Sequence, residues 1–193
     1  MRSCSTDLLN LGKKGLSDEE VKARNFRARL LGLMYEDLLE VWFSERMGFN
    51  VLGKDVRRGL YGGRRVSVDF ILEKDGRLYA VEAKCWPAYL EGQLKRLNLN
   101  NIERVKKTFG KFGTPFLEGD FVNEYRFEGR GIDGKILVWW DVEGSEAERV
   151  RDGLKLDGLI PLKRVLNELR GKVDDVVGKR KEWADRLFNT LLK

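Results

Sequence analysis

Apolar residues in the first quarter of the chain recur at helical spacing. Ser17 and Glu20 form a capping box, which predicts that a helix begins there and runs towards Met47. The apolar positions within this segment are Leu30, Leu31, Met34, Leu38, Val41 and Trp42. Gly48 is expected to end the helix, and residues 49–52 are expected to open a first strand.

A strand-type pattern follows. Residues 65–73 and 78–86 alternate between apolar and polar positions, which predicts two β-strands. The dipeptide Asp75-Gly76 lies between them, and Asp-Gly flanked by such segments is the strongest short-range signal for a two-residue hairpin turn. The basic, glycine-rich stretch before this hairpin, residues 57–65, predicts a loop.

The register of this hairpin brings three ionisable side chains to one face. A two-residue turn places Asp69 opposite Glu82, and strand alternation brings Lys84 to the same face. The remaining members of that face are Ser67, Ile71 and Ala80. The opposite face is an apolar set suited to a core: Val68, Phe70, Leu72, Tyr79, Val81, Ala83 and Cys85.

The second half of the chain mixes predicted helices and strands. The order is a basic helix over 89–109, a polar stretch over 110–134, a buried strand over 135–142, a short helix near 145–152 and a strand near 158–162. This mixture predicts one α/β or α+β domain. We place the domain at residues 17–162, between an N-terminal arm (1–16) and a C-terminal helical extension (163–193).

The predicted C-terminal extension carries an approximate heptad of apolar residues from Leu162 onwards, interrupted at Arg180. Gly171 and Gly178 weaken the helix further. We favour docking of this segment on the domain's own core over a coiled-coil dimer, because the heptad is interrupted.

Composition excludes several kinds of active site. The chain has no histidine, which excludes Ser-His triads, histidine metal sites and histidine general bases. Its two cysteines, Cys4 and Cys85, have no metal-ligand spacing. There is no apolar run of about 18 residues, and the N-terminus lacks the apolar centre of a signal peptide. We therefore expect a cytoplasmic protein that does not bind a membrane.

Charge is compatible with an anionic partner. Lysine and arginine outnumber aspartate and glutamate by 37 to 31, which gives a net charge of +6. This surplus suits a polyanion such as DNA, although a well-solvated surface explains it equally well. The charged content of 35% and the single glutamine, Gln93, are typical of thermophile proteins.

The opposed acids of the hairpin point to a metal. Two bare carboxylates about 4 Å apart repel by about 4 kcal/mol at an effective dielectric of 20. The pairing becomes favourable when a divalent cation lies between them, since hard cations prefer oxygen ligands. Lys84 could then position a water or offset the charge of a phosphate. The alternative is an ordinary exposed hairpin face in which Lys84 offsets the two acids.

The segment VDFILEKDGRLYAVEAKCW, residues 68–86, resembles the signature of the PD-(D/E)XK nuclease superfamily. That signature has an Asp on one strand and Glu-x-Lys on the next, which Asp69, Glu82 and Lys84 match. Val68 stands where the family pattern has proline.

A second part of the resemblance lies upstream. The segment GLMYEDLLEVWFSERMGFNVL, residues 32–52, is similar to the helix on which many members carry a further glutamate. It nominates Glu36, with Glu40 as the fallback one turn later. The order and spacing of the four motif residues are similar to those of archaeal Holliday junction resolvases, and the likeness spans about residues 30–97.

The resemblance implies a restriction-endonuclease-like core, a central mixed sheet flanked by helices, and a Mg²⁺- or Mn²⁺-dependent DNA endonuclease. Glu36, Asp69, Glu82 and the carbonyl of Ala83 would ligate the metal, and Lys84 would orient the attacking water. Side chains placed to contact DNA are Arg57, Arg58, Arg64, Arg65, Gln93, Lys95, Arg96, Arg104, Lys106 and Lys107. For any single basic residue, a solvated surface position is the alternative.

Two other functions stay open from the sequence. A looser resemblance to archaeal TBP-interacting proteins implies a nuclease-like fold used to bind a transcription factor or another protein. A DNA-binding module without catalysis is the third reading. A homodimer is also open, because cutting two strands commonly takes two active sites. The formal G-x-G-x-x-G match at 129–134 leads into a strand rather than a helix, so we interpret it as a turn.

Overall fold

The computed structural model describes residues 32–84, 96–111, 115–179 and residue 182. The helix predicted from Ser17 is described from residue 32, where α1 spans 32–41 and continues as a π-helical segment, Trp42–Arg46. Gly48 adopts φ +68 immediately after the C-cap residue, Met47. The predicted end of the helix at Gly48 is therefore confirmed, because a left-handed residue stops a helix and glycine adopts that conformation without strain.

The basic stretch 57–65 is not a loop, contrary to the sequence-based prediction. It forms the end of strand β1 (Asn50–Tyr61) and the start of strand β2 (Arg64–Lys74). Gly62 and Gly63 join the two strands at φ +53 and +75. Two residues at positive φ make the hairpin turn that matches strand twist, and this turn extends both strands through the arginines.

The second predicted hairpin is confirmed as far as the pair Phe70–Val81, whereas the predicted pairing of Asp69 with Glu82 is not formed, because the carboxylate of Asp69 accepts from the N–H of Ala83. Strand β3 (Arg77–Lys84) pairs with β2 in antiparallel register from Lys74–Arg77 to Phe70–Val81. Asp75 and Gly76 lie at φ +51 and +76, as this turn requires.

The remaining strands are β4 (Arg96–Leu97), β5 (Arg126–Phe127), β6 (Arg130–Gly131), β7 (Gly134–Trp139), β8 (Asp141–Val142) and β9 (Gly158–Pro161). The remaining α-helices are α2 (Ile102–Lys111), α3 (Phe121–Glu124), α4 (Ala147–Gly153), α5 (Leu162–Glu168) and α6 (173–179). Short 3-10 helices span Leu99–Asn101, Pro115–Leu117 and Gly144–Glu146.

Among these elements, β7, β9 and α4 lie where the sequence predicted a strand, a strand and a short helix, although the predicted strand 135–142 ends at Trp139 and residues 141–142 belong to the second sheet. Strands β4, β5 and β6 and helix α3 were not predicted.

The helix predicted over 89–109 is wrong at residues 96–101, and residues 89–95 lie outside the described residues. The chain there forms a short strand and a 3-10 turn before α2 begins. The side chain of Asn101 accepts a hydrogen bond from the backbone N–H of Asn98 at 3.0 Å and donates to the carbonyl of Arg96 at 2.8 Å. These side-chain bonds compete with helical backbone bonds, which explains the late start of the helix.

A mixed seven-stranded sheet organises the fold, in the order β6-β5-β1-β2-β3-β7-β9. Strands β3, β7 and β9 are parallel to one another, and β4 and β8 form a separate two-stranded sheet. The α+β class expected from the sequence is thus confirmed. None of the helices in the described ranges is long and apolar enough to cross a membrane.

Helices cover both faces of the sheet. One apolar cluster, on what we call the α2 face, joins Ile71, Ala80, Leu137 and Trp139 to residues of α2 and α4. The other cluster, on the α1 face, joins Phe70, Leu72, Val81 and Val138 to residues of α1 and α5. Both sides of the β2–β3 hairpin are therefore buried, which excludes the ordinary exposed hairpin face considered above.

The described part of the C-terminal extension packs on the domain itself. Leu162, Val165, Leu169 and Val176 are buried in the α1-face cluster. The helical conformation is interrupted between Leu169 and residue 173, around Gly171, so this segment is not one continuous helix. The preference for docking over a coiled coil is confirmed for residues 162–179, whereas Arg180 lies outside the described residues.

Strands β1 and β2 change faces at two aspartates. Phe70 and its β1 partner Lys54 lie on the α1 face, whereas Val68 and its partner Val56 pack in the α2-face cluster. The assignment of Val68 to the same face as Phe70 was therefore wrong. Asp55, with φ +49, explains the change, because a left-handed residue twists the strand between Lys54 and Val56.

Candidate active site

Asp69 lies where β2 and β3 separate. The paired residues of the two strands run only as far as Phe70–Val81. Beyond that pair, the backbone N–H of Ala83 donates to Asp69 Oδ2 at 2.6 Å. The carboxylate thus replaces a backbone acceptor at the fork between the strands and is held in one orientation by the hydrogen bond.

Glu82 is buried beside this fork. It is 5% exposed, and its carboxylate forms an ion pair with Lys84 Nζ. Burial and then the charge of Asp69 raise the pKa of Glu82 to about 7, although Lys84 acts in the opposite direction. Lys84 Nζ also lies 5.5 Å from the ring centroid of Phe109, so α2 borders the site on the α2 face.

Glu36 approaches from α1. Burial and then the charge of Asp69 raise its pKa to about 7, and the charge of Glu36 in turn contributes to the raised pKa of Glu82. Glu40, one turn later, lies 3.2 Å from Lys54 and has a half-exposed side chain. Charge interactions thus link Glu36 to both hairpin carboxylates, and the contact described for Glu40 is with Lys54.

Glu36, Asp69 and Glu82 supply carboxylate oxygens, the type of donor that a hard divalent cation prefers. Three carboxylates from three elements share one field, and two of them are held less acidic than usual by burial and mutual repulsion. Within the ranges that the structure describes, no group of three or more Asp, Glu or Cys side chains is gathered closely enough to hold a metal ion. The carbonyl of Ala83 stays a predicted ligand; the N–H of this residue is the group that contacts Asp69.

Several predicted DNA-contacting cations are engaged in ion pairs. Arg57 pairs with Asp55 at 2.6 Å, Lys106 with Glu103 at 2.9 Å, and Arg96 with two acids, Asp141 and Glu143, each at 3.2 Å. The remaining members, all exposed, are Arg64, Arg65, Arg104 and Lys107. Gln93, Lys95 and the side chain of Arg58 lie outside the described residues.

Tyr125 is a neighbour of the site that sequence reasoning missed. Its side chain is buried, and its hydroxyl has no hydrogen-bond partner in the described part of the chain. Burial and then the charge of Glu82 raise the pKa of Tyr125 to about 12. A tyrosine inside a polar, glycine-broken segment carries no periodic signal, so only the fold could place it here.

A separate cavity of about 450 Å³ lies at the other end of β3. Its apolar lining includes Phe49, Tyr79, Ile136, Leu159 and Ile160. Tyr79 precedes Glu82 by three residues, which corresponds to about 10 Å of strand. The carboxylate cluster therefore does not line this cavity.

Comparison with known proteins adds little to the geometry. No family model matches the chain, and no curated protein matches it. A crystal structure of a protein of unknown function, AF1548, is similar over 70% of this chain and 66% of that chain, with 13% sequence identity and a TM-score of 0.41.

Proposed function

We propose that this protein is a metal-dependent deoxyribonuclease that hydrolyses phosphodiester bonds at the site formed by Glu36, Asp69, Glu82 and Lys84. The observation that carries the proposal is that the N–H of Ala83 holds the Asp69 carboxylate beside the buried Glu82–Lys84 ion pair. The three carboxylates come from α1, β2 and β3, and each of the two glutamates has its pKa raised by the charge of Asp69. Functional carboxylates commonly cluster in this way, at a cost in charge repulsion.

Each of the four site residues has a role in this proposal. Asp69, oriented by the N–H of Ala83, and Glu82 would hold Mg²⁺ or Mn²⁺, with Glu36 and the carbonyl of Ala83 completing the ligand set. A bound divalent cation supplies Lewis-acid activation of a water and offsets the charge that develops on the phosphate. Lys84, positioned by Glu82 and Phe109, would orient the attacking water or stabilise a phosphate oxygen.

DNA would reach the site over basic side chains. Arg65 lies four residues before Asp69 on the same strand, and α2 carries the exposed Arg104 and Lys107 on the turns before Phe109. Contacts of these cations with phosphates would position the substrate without reading its sequence. A DNA substrate is compatible with the cytoplasmic location expected from the sequence.

A cleavage assay tests this function. Full-length protein is incubated with labelled duplex, single-stranded, flap and four-way junction DNA, each with Mg²⁺, with Mn²⁺ and with EDTA. We expect cleavage that requires metal and that falls at least 100-fold in Lys84→Ala. Glu148→Gln, which changes an exposed acid on α4, serves as the matched control and should cleave normally. The preferred DNA would name the substrate, including whether a junction is cut.

Two results would overturn the proposal. One is the absence of cleavage on every DNA under all metal conditions, which would favour the alternative of a nuclease-like fold that binds a protein. The other is cleavage that persists unchanged in Lys84→Ala, because the nuclease would then lie elsewhere or come from a contaminant.

A further inference from the structure

The tip of the β1–β2 hairpin presents two chemically different faces. Gly59 and its partner Val66 lie on the α2 face, where the ring of Tyr125 is so close that a Cβ on Gly59 would meet its hydroxyl at 1.9 Å. Opposed residues of an antiparallel pair share a face and successive residues alternate. The next pair, Leu60 and Arg65, therefore lies on the opposite side, the side of the sheet that α1 covers.

A third strand continues this row. Leu60 also pairs with Arg126 of β5, so Arg65, Leu60 and Arg126 lie side by side across three strands. We call these three residues the tip row. Both arginines are exposed, and Leu60 is 45% exposed, one of few large apolar side chains of the described ranges to be so open.

Arg126 is fixed in place within the row. Its Nη1 donates to the carbonyls of Asn123 at 2.6 Å and Tyr125 at 2.9 Å. Its guanidinium lies over Gly131, where a Cβ would come within 3.5 Å of Nη1. A guanidinium held this way keeps further N–H donors for an anion and loses little side-chain entropy on binding.

The other face of the tip has a different character. Tyr61 and its partner Arg64 lie there, and the Tyr61 hydroxyl is within hydrogen-bonding distance of two carboxylates, Glu118 at 2.8 Å and Asp120 at 2.6 Å. Acidic side chains on that face oppose a polyanion, whereas the tip row offers two cations around an apolar contact. Charge complementarity therefore selects the tip row as the side of the hairpin that meets a nucleic acid.

The spacing relates the tip row to the carboxylate site. Arg65 precedes Asp69 by four residues, which corresponds to about 13 Å of strand. This is close to the width of the DNA major groove, about 12 Å. If one sugar-phosphate backbone of a DNA duplex lies at Asp69, the other DNA strand would lie at the tip row. The tip row is on the side of the protein sheet from which Glu36 approaches.

We propose that the tip row is a second DNA contact, which binds the sugar-phosphate backbone across the major groove from the scissile phosphate. Arg65 and Arg126 donate to phosphates, and Leu60 packs on deoxyribose carbons between them. This inference rests on the proposed nuclease function, because it takes DNA as the substrate.

Binding measured without cleavage tests the proposal. In full-length protein carrying Asp69→Asn, fluorescence anisotropy follows a labelled 20-base-pair duplex and a four-way junction over a salt series. We expect Arg65→Ala to weaken binding about tenfold and to lower the slope of log affinity against log salt by about 0.9, as the loss of one phosphate contact requires. Arg65→Lys should restore most of the slope. Leu60→Ala should weaken binding about threefold and leave the slope unchanged.

Two comparison variants make the result specific to one face. Arg64→Ala removes the same charge from the other face and should weaken binding clearly less than Arg65→Ala. Arg149→Ala, on the exposed side of α4, should leave affinity within twofold. Equal losses from Arg64→Ala and Arg65→Ala, or no loss from Arg65→Ala and Leu60→Ala while the parent binds DNA, would overturn the inference.

Failure of the nuclease proposal gives a different pattern. If the wild-type protein does not cleave DNA but Arg65→Ala weakens DNA binding as expected, the proposed tip-row contact is supported and the proposed nuclease function is contradicted. If wild-type protein cleaves and the tip-row variants bind normally, the nuclease stands and the tip row falls. Absence of all DNA binding would overturn both.

Discussion

The backbone N–H of Ala83 donates to the carboxylate of Asp69 at 2.6 Å, at the point where β2 and β3 cease to pair. The carboxylate of Asp69 thus takes the place of a backbone carbonyl as the acceptor for Ala83. The bond fixes this acid at the end of the paired region of the two strands. This bond separates two properties of Asp69. Its oxygen supports the local backbone, whereas its charge acts on the two glutamates.

Asp69→Asn should separate these properties. The amide oxygen still accepts from Ala83, but the charge that disfavours ionised Glu36 and Glu82 is gone. We expect the melting temperature in EDTA to equal or exceed that of the wild type. Addition of Mn²⁺ should raise the melting temperature of the wild type, because a ligand that binds only the folded state stabilises it, by about 2.7 kcal/mol at 100 times its dissociation constant.

The same addition should leave Asp69→Asn unchanged, and thermal denaturation followed by circular dichroism measures both. Glu103→Gln, an exposed acid on α2, is the control and should retain the rise. A normal Mn²⁺ response in Asp69→Asn would remove this residue from the ligand set.

Two glutamates on α1 form a matched pair. Glu36→Gln should lower metal-dependent cleavage at least 30-fold, because the charge of Glu36 interacts with that of Asp69. Glu40→Gln should lower cleavage less than threefold, because Glu40 contacts Lys54 at 3.2 Å and is half exposed. Initial rates at saturating Mg²⁺ measure the difference. The reverse order of effects would transfer the predicted role to Glu40.

Stability in EDTA should depend on pH through the two glutamates. Their pKa values in the folded protein are about 7, against an ordinary value of 4.5, so the folded state holds these protons more tightly than the unfolded chain. The free energy of unfolding should therefore fall as pH rises from about 5 to 8. The contribution is read as the difference between wild type and Glu36→Gln in urea titrations at each pH. A difference that is flat or that favours the wild type with rising pH would contradict it.

Gly59 tests the packing that defines the hairpin tip. A Cβ there would lie 1.9 Å from the hydroxyl and 2.2 Å from Cζ of Tyr125, so the ring or the strand must move. We expect Gly59→Ala to lower the free energy of unfolding by about 1–3 kcal/mol, the usual cost of overpacking. Gly144→Ala, with nothing within 4 Å of the added carbon, is the control and should change stability little. Equal effects in urea denaturation would argue against the close contact.

Tyr125→Phe removes a buried hydroxyl that has no partner among the described residues. An unsatisfied buried polar group costs about 1–3 kcal/mol, so its removal should leave stability unchanged or raise it. Urea denaturation of the variant measures this. A loss above about 1 kcal/mol would mean that the hydroxyl has an acceptor in solution, such as an ordered water close to Glu82.

Local chemistry explains which features the sequence could predict. The Asp75-Gly76 turn and the register from Lys74–Arg77 to Phe70–Val81 follow from turn geometry and strand alternation, and the end of the helix at Gly48 follows from a left-handed glycine. The continuous apolar run of β7 predicted a buried strand, and the strand is buried. Each of these depends on residues within a few positions of one another, so the pattern alone contains the physical cause.

Only the tertiary structure could decide the rest. The charge interaction of Glu36 with Asp69 depends on how α1 packs against β2, and the ion pairs of Arg96 depend on which acids the fold brings near. The change of face in β1 required a left-handed backbone conformation at Asp55, which strand alternation does not predict. The sequence by itself therefore determined which ionisable side chains the hairpin carries. Long-range packing determined which side chains of other elements interact electrostatically with them.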